Sequence, residues 1–194
     1  MNQSKTTSIM ITGVGGQGTL LASRVLGNAA LEKGLDVKMS EVHGMAQRGG
    51  SVVTYVRFGE SVASPVIDRG QADVLLAFEQ LEAARYLSYL KKDGLLITNT
   101  QKINPMTVVS GATAYPADVL DNLAKAPIRL NTLDALSLAR EAGSEKAVNI
   151  VLIGKLSACT DLFTKEELLD SIRKTVPAKL LEVNLRAFEN GYNS

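Results

Sequence analysis

Ser8-Ile-Met-Ile-Thr-Gly-Val-Gly-Gly-Gln-Gly18 is a short apolar, β-branched run that breaks at once into a glycine turn, and this junction decides the fold class. A run of that length with no polar alternation reads as a strand buried on both faces, as in a parallel sheet. Gly13, Gly15 and Gly18 keep the spacing Gly-x-Gly-x-x-Gly, with Gly16 and Gln17 inside the turn. The spacing provides permissive dihedrals, close approach of a ligand or a second backbone, and tight helix–strand packing. Leu20, Leu21, Val25, Leu26, Ala29 and Ala30 then recur at helical spacing, closed by Lys33 and Gly34. The amides and dipole of such a helix would favour an anion over the loop.

Leu35 to Val42 reads as the second strand and sets Glu41 at its end, about where a dinucleotide-binding unit keeps the acid that grips a ribose. The same glycine turn also serves many α/β proteins for packing alone. His43-Gly-Met-Ala-Gln-Arg-Gly-Gly50 follows, with no hydrophobic period, three glycines, and the only histidine of the chain near Gln47 and Arg48. So polar and glycine-rich a loop reads as a site or an interface. The planar fork of Arg48 suits a carboxylate or phosphate, and His43 is the candidate for orienting a group or moving a proton. The alternative is that both side chains hydrogen-bond the loop's own carbonyls. Gly49 and Gly50 read as a tight turn. Both glycine loops follow strand ends, so an open α/β sheet would gather them on one edge.

The rest of the chain continues the α/β pattern. Ser51 to Phe58 is a strand, Gly59-Glu60 a hairpin turn, and Ser61 to Val66 a returning strand marked as an edge by Pro65. Ala72 to Phe78 is a buried strand, Glu79 to Lys91 a helix leaving through Asp93-Gly94, and Leu95 to Asn99 a strand. Gly111 to Tyr115, Pro116 to Ala126 and Ile128 to Asn131 read as strand, helix and strand. Helices then dominate: Leu133 to Ala142, Val148 to Ser157, Thr164 to Thr175 with a Thr164/Glu167 capping box, and Ala178 to Asn190 closed by Gly191. The expected architecture is an α/β, Rossmann-like, open and mostly parallel but mixed sheet flanked by helices, with a helical C-terminal region and one domain over 1–194.

Composition narrows the function classes. The 21 Lys and Arg against 20 Asp and Glu are interspersed, which gives no footprint for nucleic acid or an anionic membrane. The first residues hold no signal-like apolar run, and no stretch approaches the roughly 20 apolar residues of a membrane span, so a cytoplasmic protein is expected. One cysteine, Cys159, excludes a Cys-rich zinc site and a Cys-ligated iron–sulfur cluster within this sequence. No metal-ligand spacing is found, and Cys159 reads as an inert core thiol.

Gly13-Val-Gly-Gly-Gln-Gly-Thr-Leu-Leu-Ala-Ser-Arg24 and Ser40-Glu-Val-His-Gly-Met-Ala-Gln-Arg-Gly-Gly-Ser51 together resemble the small, gamma-type subunit or domain of 2-oxoacid:ferredoxin oxidoreductases, nearest the beta subunit of the indolepyruvate enzymes. Ser64-Pro-Val-Ile67, Ala72-Asp-Val-Leu-Leu76, Glu79 with Glu82 and Arg85, Tyr115-Pro116, Asn149 with Gly154, and Asn184 with Ala187 and Gly191 extend the resemblance over most of the chain. It implies oxidative decarboxylation of an arylpyruvate with coenzyme A as co-substrate and ferredoxin as acceptor. It also implies that thiamine diphosphate and iron–sulfur clusters sit on a large alpha subunit while this chain binds neither, in keeping with its single cysteine and lack of a Gly-Asp-Gly thiamine signature. A partner face of that kind predicts self-association of the isolated chain, as a homodimer. Sister enzymes of pyruvate, 2-oxoglutarate or branched-chain oxoacids stay open as alternatives, as does a free-standing binding module or NAD-linked reductase built on the first loop and Glu41.

Overall fold

The structure is a computed structural model that describes residues 6–43 and 50–194. Strand β1 (Thr7–Val14) runs through the glycine turn into α1 (Thr19–Glu32), and β2 (Asp36–His43) follows. β3 (Ser51–Gly59) returns antiparallel to β2 and lies between β2 and β1, antiparallel to both. The chain continues through β4 (Ala72–Ala77), α2 (Gln80–Tyr86), β5 (Leu90–Asn99), α3 (Met106–Val109), α4 (Val119–Ala124), β6 (Arg129–Leu133) and α5 (Ala135–Ala142). Helices α6 (Val148–Cys159), α7 (Lys165–Thr175) and α8 (Ala178–Tyr192) complete it. The six-stranded sheet has the order β2-β3-β1-β4-β5-β6, with β1, β4, β5 and β6 parallel. The mixed α/β sheet expected from the sequence is therefore present.

Alternation along each strand builds two cores. Ile9, Ile11, Val74, Leu76, Leu95 and Ile97 face α1, α5, α6, α7 and α8, whereas Met10, Leu75, Ala77 and Leu96 face Ala83 of α2 and Val119 and Leu123 of α4. The buried strands are apolar on both sides because helices cover both sides. Helix α6 shows no amphipathic stripe, since Val148 to Gly154 is buried all round under α5, α7 and α8. Thr164 and Glu167 form the expected capping box of α7, and Ser171 ties that helix to α1 by donating to the Val25 carbonyl at 2.7 Å.

Several local readings are corrected. Ser61 to Val66 forms no strand: Arg57 Nη1 takes the Ser64 and Val66 carbonyls at 2.9 Å each, and Asp36 takes the Val62 amide at 2.8 Å. These bonds replace a ladder that Pro65 would in any case interrupt. The helix expected over Glu79 to Lys91 ends at Tyr86, a 3₁₀ turn spans Leu87–Tyr89, and β5 opens at Leu90. Asp93-Gly94 is thus no helix exit but an irregularity within β5, where Asp93 has φ 60° and the pairing with β4 shifts register. Gly111 to Tyr115 is not extended into a strand, because the chain there closes off α3. Pro116 precedes α4, which starts only at Val119.

Gly191 does not end α8 but lies inside it. A Cβ there would overlap the Val151 carbonyl of α6, and one on Gly154 would overlap the Phe188 carbonyl of α8, so these two glycines let the helix backbones touch. Gly191→Ala is expected to lower unfolding stability by about 1–3 kcal/mol through overpacking, read as a lower urea midpoint. An unchanged midpoint would show that the helices have room to separate.

Candidate functional site

The carboxyl ends of β1, β4 and β5 meet over a layer of carboxamides. Gln17 folds back over its own turn, accepting from Val14 N at 2.8 Å and donating to the Phe78 carbonyl at 3.0 Å. Asn99 donates to the same carbonyl at 3.2 Å and accepts from the amide of Ala135 at 3.1 Å, which fixes the start of α5. Gln80 donates to the Thr100 carbonyl at 2.7 Å. Asn149, at the start of α6, donates to the Gly18 carbonyl at 3.2 Å. Gly18 itself has φ 83°, and a Cβ on it would stand 2.6 Å from Asn149 Nδ2, so only glycine fits this cap.

The first glycine turn reaches Gly50, at the start of β3. The Gly15 amide donates to the Gly50 carbonyl at 2.9 Å, because β3 begins opposite the end of β1, Val14 beside Ser51. Gly13 is buried at the end of β1, Gly16 is exposed in the turn with φ 98°, and no side chain caps the first turn of α1. Gln17 serves the loop rather than facing outward. His43 ends β2, exposed and paired in register with Val52. Glu41 is exposed on the outermost strand, accepting from Thr54 Oγ1 at 3.3 Å; β3 separates it from β1, so it does not neighbour the first loop as a ribose-binding acid would. Gln47, Arg48 and Gly49 lie outside the described residues.

Sequence reasoning left one group out of the site: the two carboxylates of α2. Glu79, 1% exposed, caps α2 by accepting from Glu82 N at 2.9 Å, and also accepts from Ile103 N at 3.2 Å and from the Tyr115 hydroxyl. Glu82, 4% exposed, accepts from the Ser51 hydroxyl and from Arg85 Nε at 3.0 Å, while Tyr86 Oη stands 3.1 Å from Ser51 Oγ. A buried carboxylate is tolerable only with several donors, and each has them. The signal was the spacing Glu79, Glu82, Arg85 before an otherwise apolar helix face, which appeared only within the resemblance. Burial, together with the hydrogen bond to Glu79 and its charge, holds the Tyr115 phenol well above its ordinary range.

A groove of about 730 Å³ lies at the opposite edge of the sheet, among Ser8, Arg57, Ser64 and Lys91. Its cations are engaged: Arg57 with Ser8, Ser64 and Val66, and Lys91 with Asp73 at 2.7 Å. An iron–sulfur cluster does not fit this chain, since Cys159 is its one thiol and ends α6 away from the glycine loops. Among the described residues no helix is long and apolar enough to cross a membrane.

The carboxyl edge of the open sheet thus joins the first glycine turn to Gly50 at the start of β3. The chain belongs to the pyruvate ferredoxin/flavodoxin oxidoreductase family, which it matches over residues 8–194. It is 47% identical over 191 residues to indolepyruvate oxidoreductase subunit IorB of Thermococcus kodakarensis, covering 96% of this chain and 95% of the relative. The keto/oxoacid ferredoxin oxidoreductase gamma subunit of Geobacter sulfurreducens superposes with a TM-score of 0.73 at 25% identity, over 96% of each chain. A 2-oxoglutarate:ferredoxin oxidoreductase chain of Magnetococcus marinus shares the fold, with a TM-score of 0.74 at 18% identity, over 98% of this chain and 31% of that one.

Tyr115→Phe removes a donor from the buried Glu79 and is expected to cost about 1–3 kcal/mol of stability. Because the folded phenol titrates above its unfolded value of about 10, its contribution is complete below that pH and is lost as pH rises through the elevated folded value. Alkaline titration followed by tyrosinate absorbance should show a late component that the variant lacks. Identical curves would place Tyr115 in solvent.

Proposed function

We propose that this chain is the small subunit of an indolepyruvate:ferredoxin oxidoreductase, holding no redox cofactor itself. The observation that carries the reading is the 47% identity to IorB over nearly the whole of both chains. The reaction joins the acyl group of a 2-oxoacid to coenzyme A: the bond between carboxylate and keto carbon breaks, carbon dioxide leaves, the acyl carbon forms a thioester with the coenzyme A sulfur as the thiol proton is released, and the two electrons of the oxidation pass one at a time to two ferredoxins. Thiamine diphosphate supplies the carbanion sink and iron–sulfur clusters the one-electron steps, and both belong to a large alpha subunit. The single cysteine here supports that division, and the protein works in the cytoplasm as part of a hetero-oligomer.

This chain's part is played at the carboxyl edge. Arg48 holds the oxoacid carboxylate or a coenzyme A phosphate through its planar fork. His43 orients a neighbouring group or moves a proton. The turn from Gly13 to Gly18 holds an anion or receives the partner's backbone, with Glu41, Gln47, Gly49 and Gly50 shaping the same edge. The NAD-linked alternative finds no support in the placement of Glu41, which β3 separates from the first loop.

Anaerobic co-expression with the large subunit should give a stable hetero-oligomer that reduces a viologen dye with indolepyruvate or phenylpyruvate and coenzyme A, while either subunit alone gives little rate. Full activity of the large subunit alone would remove this chain from the active site. Preference for pyruvate or 2-oxoglutarate would keep the family role and reject the arylpyruvate assignment. Arg48→Lys should leave assembly intact and raise the Michaelis constant for the oxoacid or for coenzyme A about tenfold. Unchanged constants for both would make Arg48 a structural residue.

A further inference from the structure

Glu82 stands three residues after Glu79, the cap of α2, where a carboxylate ordinarily turns back onto the amide of the cap. Here it turns toward the sheet. One oxygen accepts from the Ser51 hydroxyl and the other from Arg85 Nε at 3.0 Å, while Tyr86 Oη stands 3.1 Å from Ser51 Oγ. With only 4% of Glu82 exposed, its charge is committed to these donors. A buried charge on α2 thereby grips the first residue of β3.

What Ser51 holds is the approach to the glycine turn. Ser51 lies beside Val14, the last residue of β1, and the carbonyl of Gly50 just before it takes the Gly15 amide at 2.9 Å. The turn is held again near the same helix end: Gln17 accepts from Val14 N and donates to the Phe78 carbonyl, one residue before the cap Glu79. The Gln17 hold is built into the turn itself, whereas the Glu82 hold reaches it from α2 through β3 to β1. A shift of Ser51 therefore moves Gly50, and with it the hydrogen bond that fixes Gly15.

We propose that Glu82 is a positioning residue for the 2-oxoacid reaction: through Ser51 and the Gly50 carbonyl it sets the place of the turn from Gly13 to Gly18 against the substrates. The assignment rests on the subunit reading above, which puts that turn at the working edge. Glu82 is buried and acts only through Ser51. A misplacement of about 1 Å in a positioning group costs a large factor in rate, so loss of the hold registers in the handling of substrate before it registers in the fold. Glu79, equally buried, spends its charge instead on Ile103 and Tyr115 around α3.

The test uses the assembled hetero-oligomer with its preferred oxoacid, coenzyme A and a viologen dye. Glu82→Gln and Ser51→Ala should each raise the Michaelis constant for the oxoacid or for coenzyme A about tenfold, with kcat changed less. The two together should do no more than the larger single effect, because both break one chain of contacts. Ser51→Thr, which keeps the hydroxyl, should hold both constants at their unsubstituted values. Gly191→Ala disturbs the contact of α6 with α8 and should lower the thermal midpoint while leaving both constants unchanged. Unchanged constants in Glu82→Gln, additive effects of the pair, or an equal rise in Gly191→Ala would each overturn the assignment and leave the subunit reading intact. An unsubstituted complex that turns over no 2-oxoacid would remove the subunit reading and the assignment with it. Should Glu82→Gln fail to assemble, the comparison of Ser51→Ala with Ser51→Thr carries the test, and equal constants in those two would overturn the proposal.

Discussion

The insertion of β3 between β1 and β2 is the constraint on which the rest of the edge depends. A parallel strand in that place would begin at the far edge, whereas the antiparallel β3 begins where β1 ends, with Ser51 beside Val14. That register is what allows the Gly15 amide to reach the Gly50 carbonyl. It also moves β2 to the outside of the sheet, two strand spacings or roughly 10 Å from β1. The crossover through α1 keeps the outline of a dinucleotide-binding unit while removing its acid from the first loop.

Polar groups at this edge are matched to one another rather than left for solvent. Gln17, Gln80, Asn99 and Asn149 each spend side-chain amides on carbonyls at strand ends or helix caps. Glu79 and Glu82 do the same with charge, and their donors come from separate parts of the chain: Ser51 after the second loop, Ile103 and Tyr115 around α3. A buried carboxylate stripped of a donor is costly, so each pair resists displacement of the loop that supplies it. Helix α2 therefore holds two flanking loops through two adjacent carboxylates, and the edge is presented on a fixed frame.

The first glycine turn and the helix after it were legible because their signals are local. Gly13, Gly15 and Gly18 stand at the spacing of a strand-to-helix turn, and the polar loop from His43 to Gly50 interrupts every hydrophobic period around it. Glu79 and Glu82 were not read as part of the edge, because a carboxylate near a helix start looks like an ordinary cap until its burial is known. Met106 and Val109 were not singled out in the sequence, and only the structure shows them exposed on α3. The returning strand expected at Ser61 to Val66 failed because Arg57 and Asp36 satisfy its backbone with side chains.

The sequence by itself determined the α/β class, the glycine turn, the α7 capping box and the late helices, since each follows from residue type and near-neighbour spacing. Tertiary structure alone decided the sheet order, the place of Glu41, the roles of the α2 carboxylates and the function of Gly191. Those depend on which strand lies beside which and on how closely two helix axes approach. Such pairings are set by packing between segments far apart in sequence, and hydrophobic period and propensity carry no record of them.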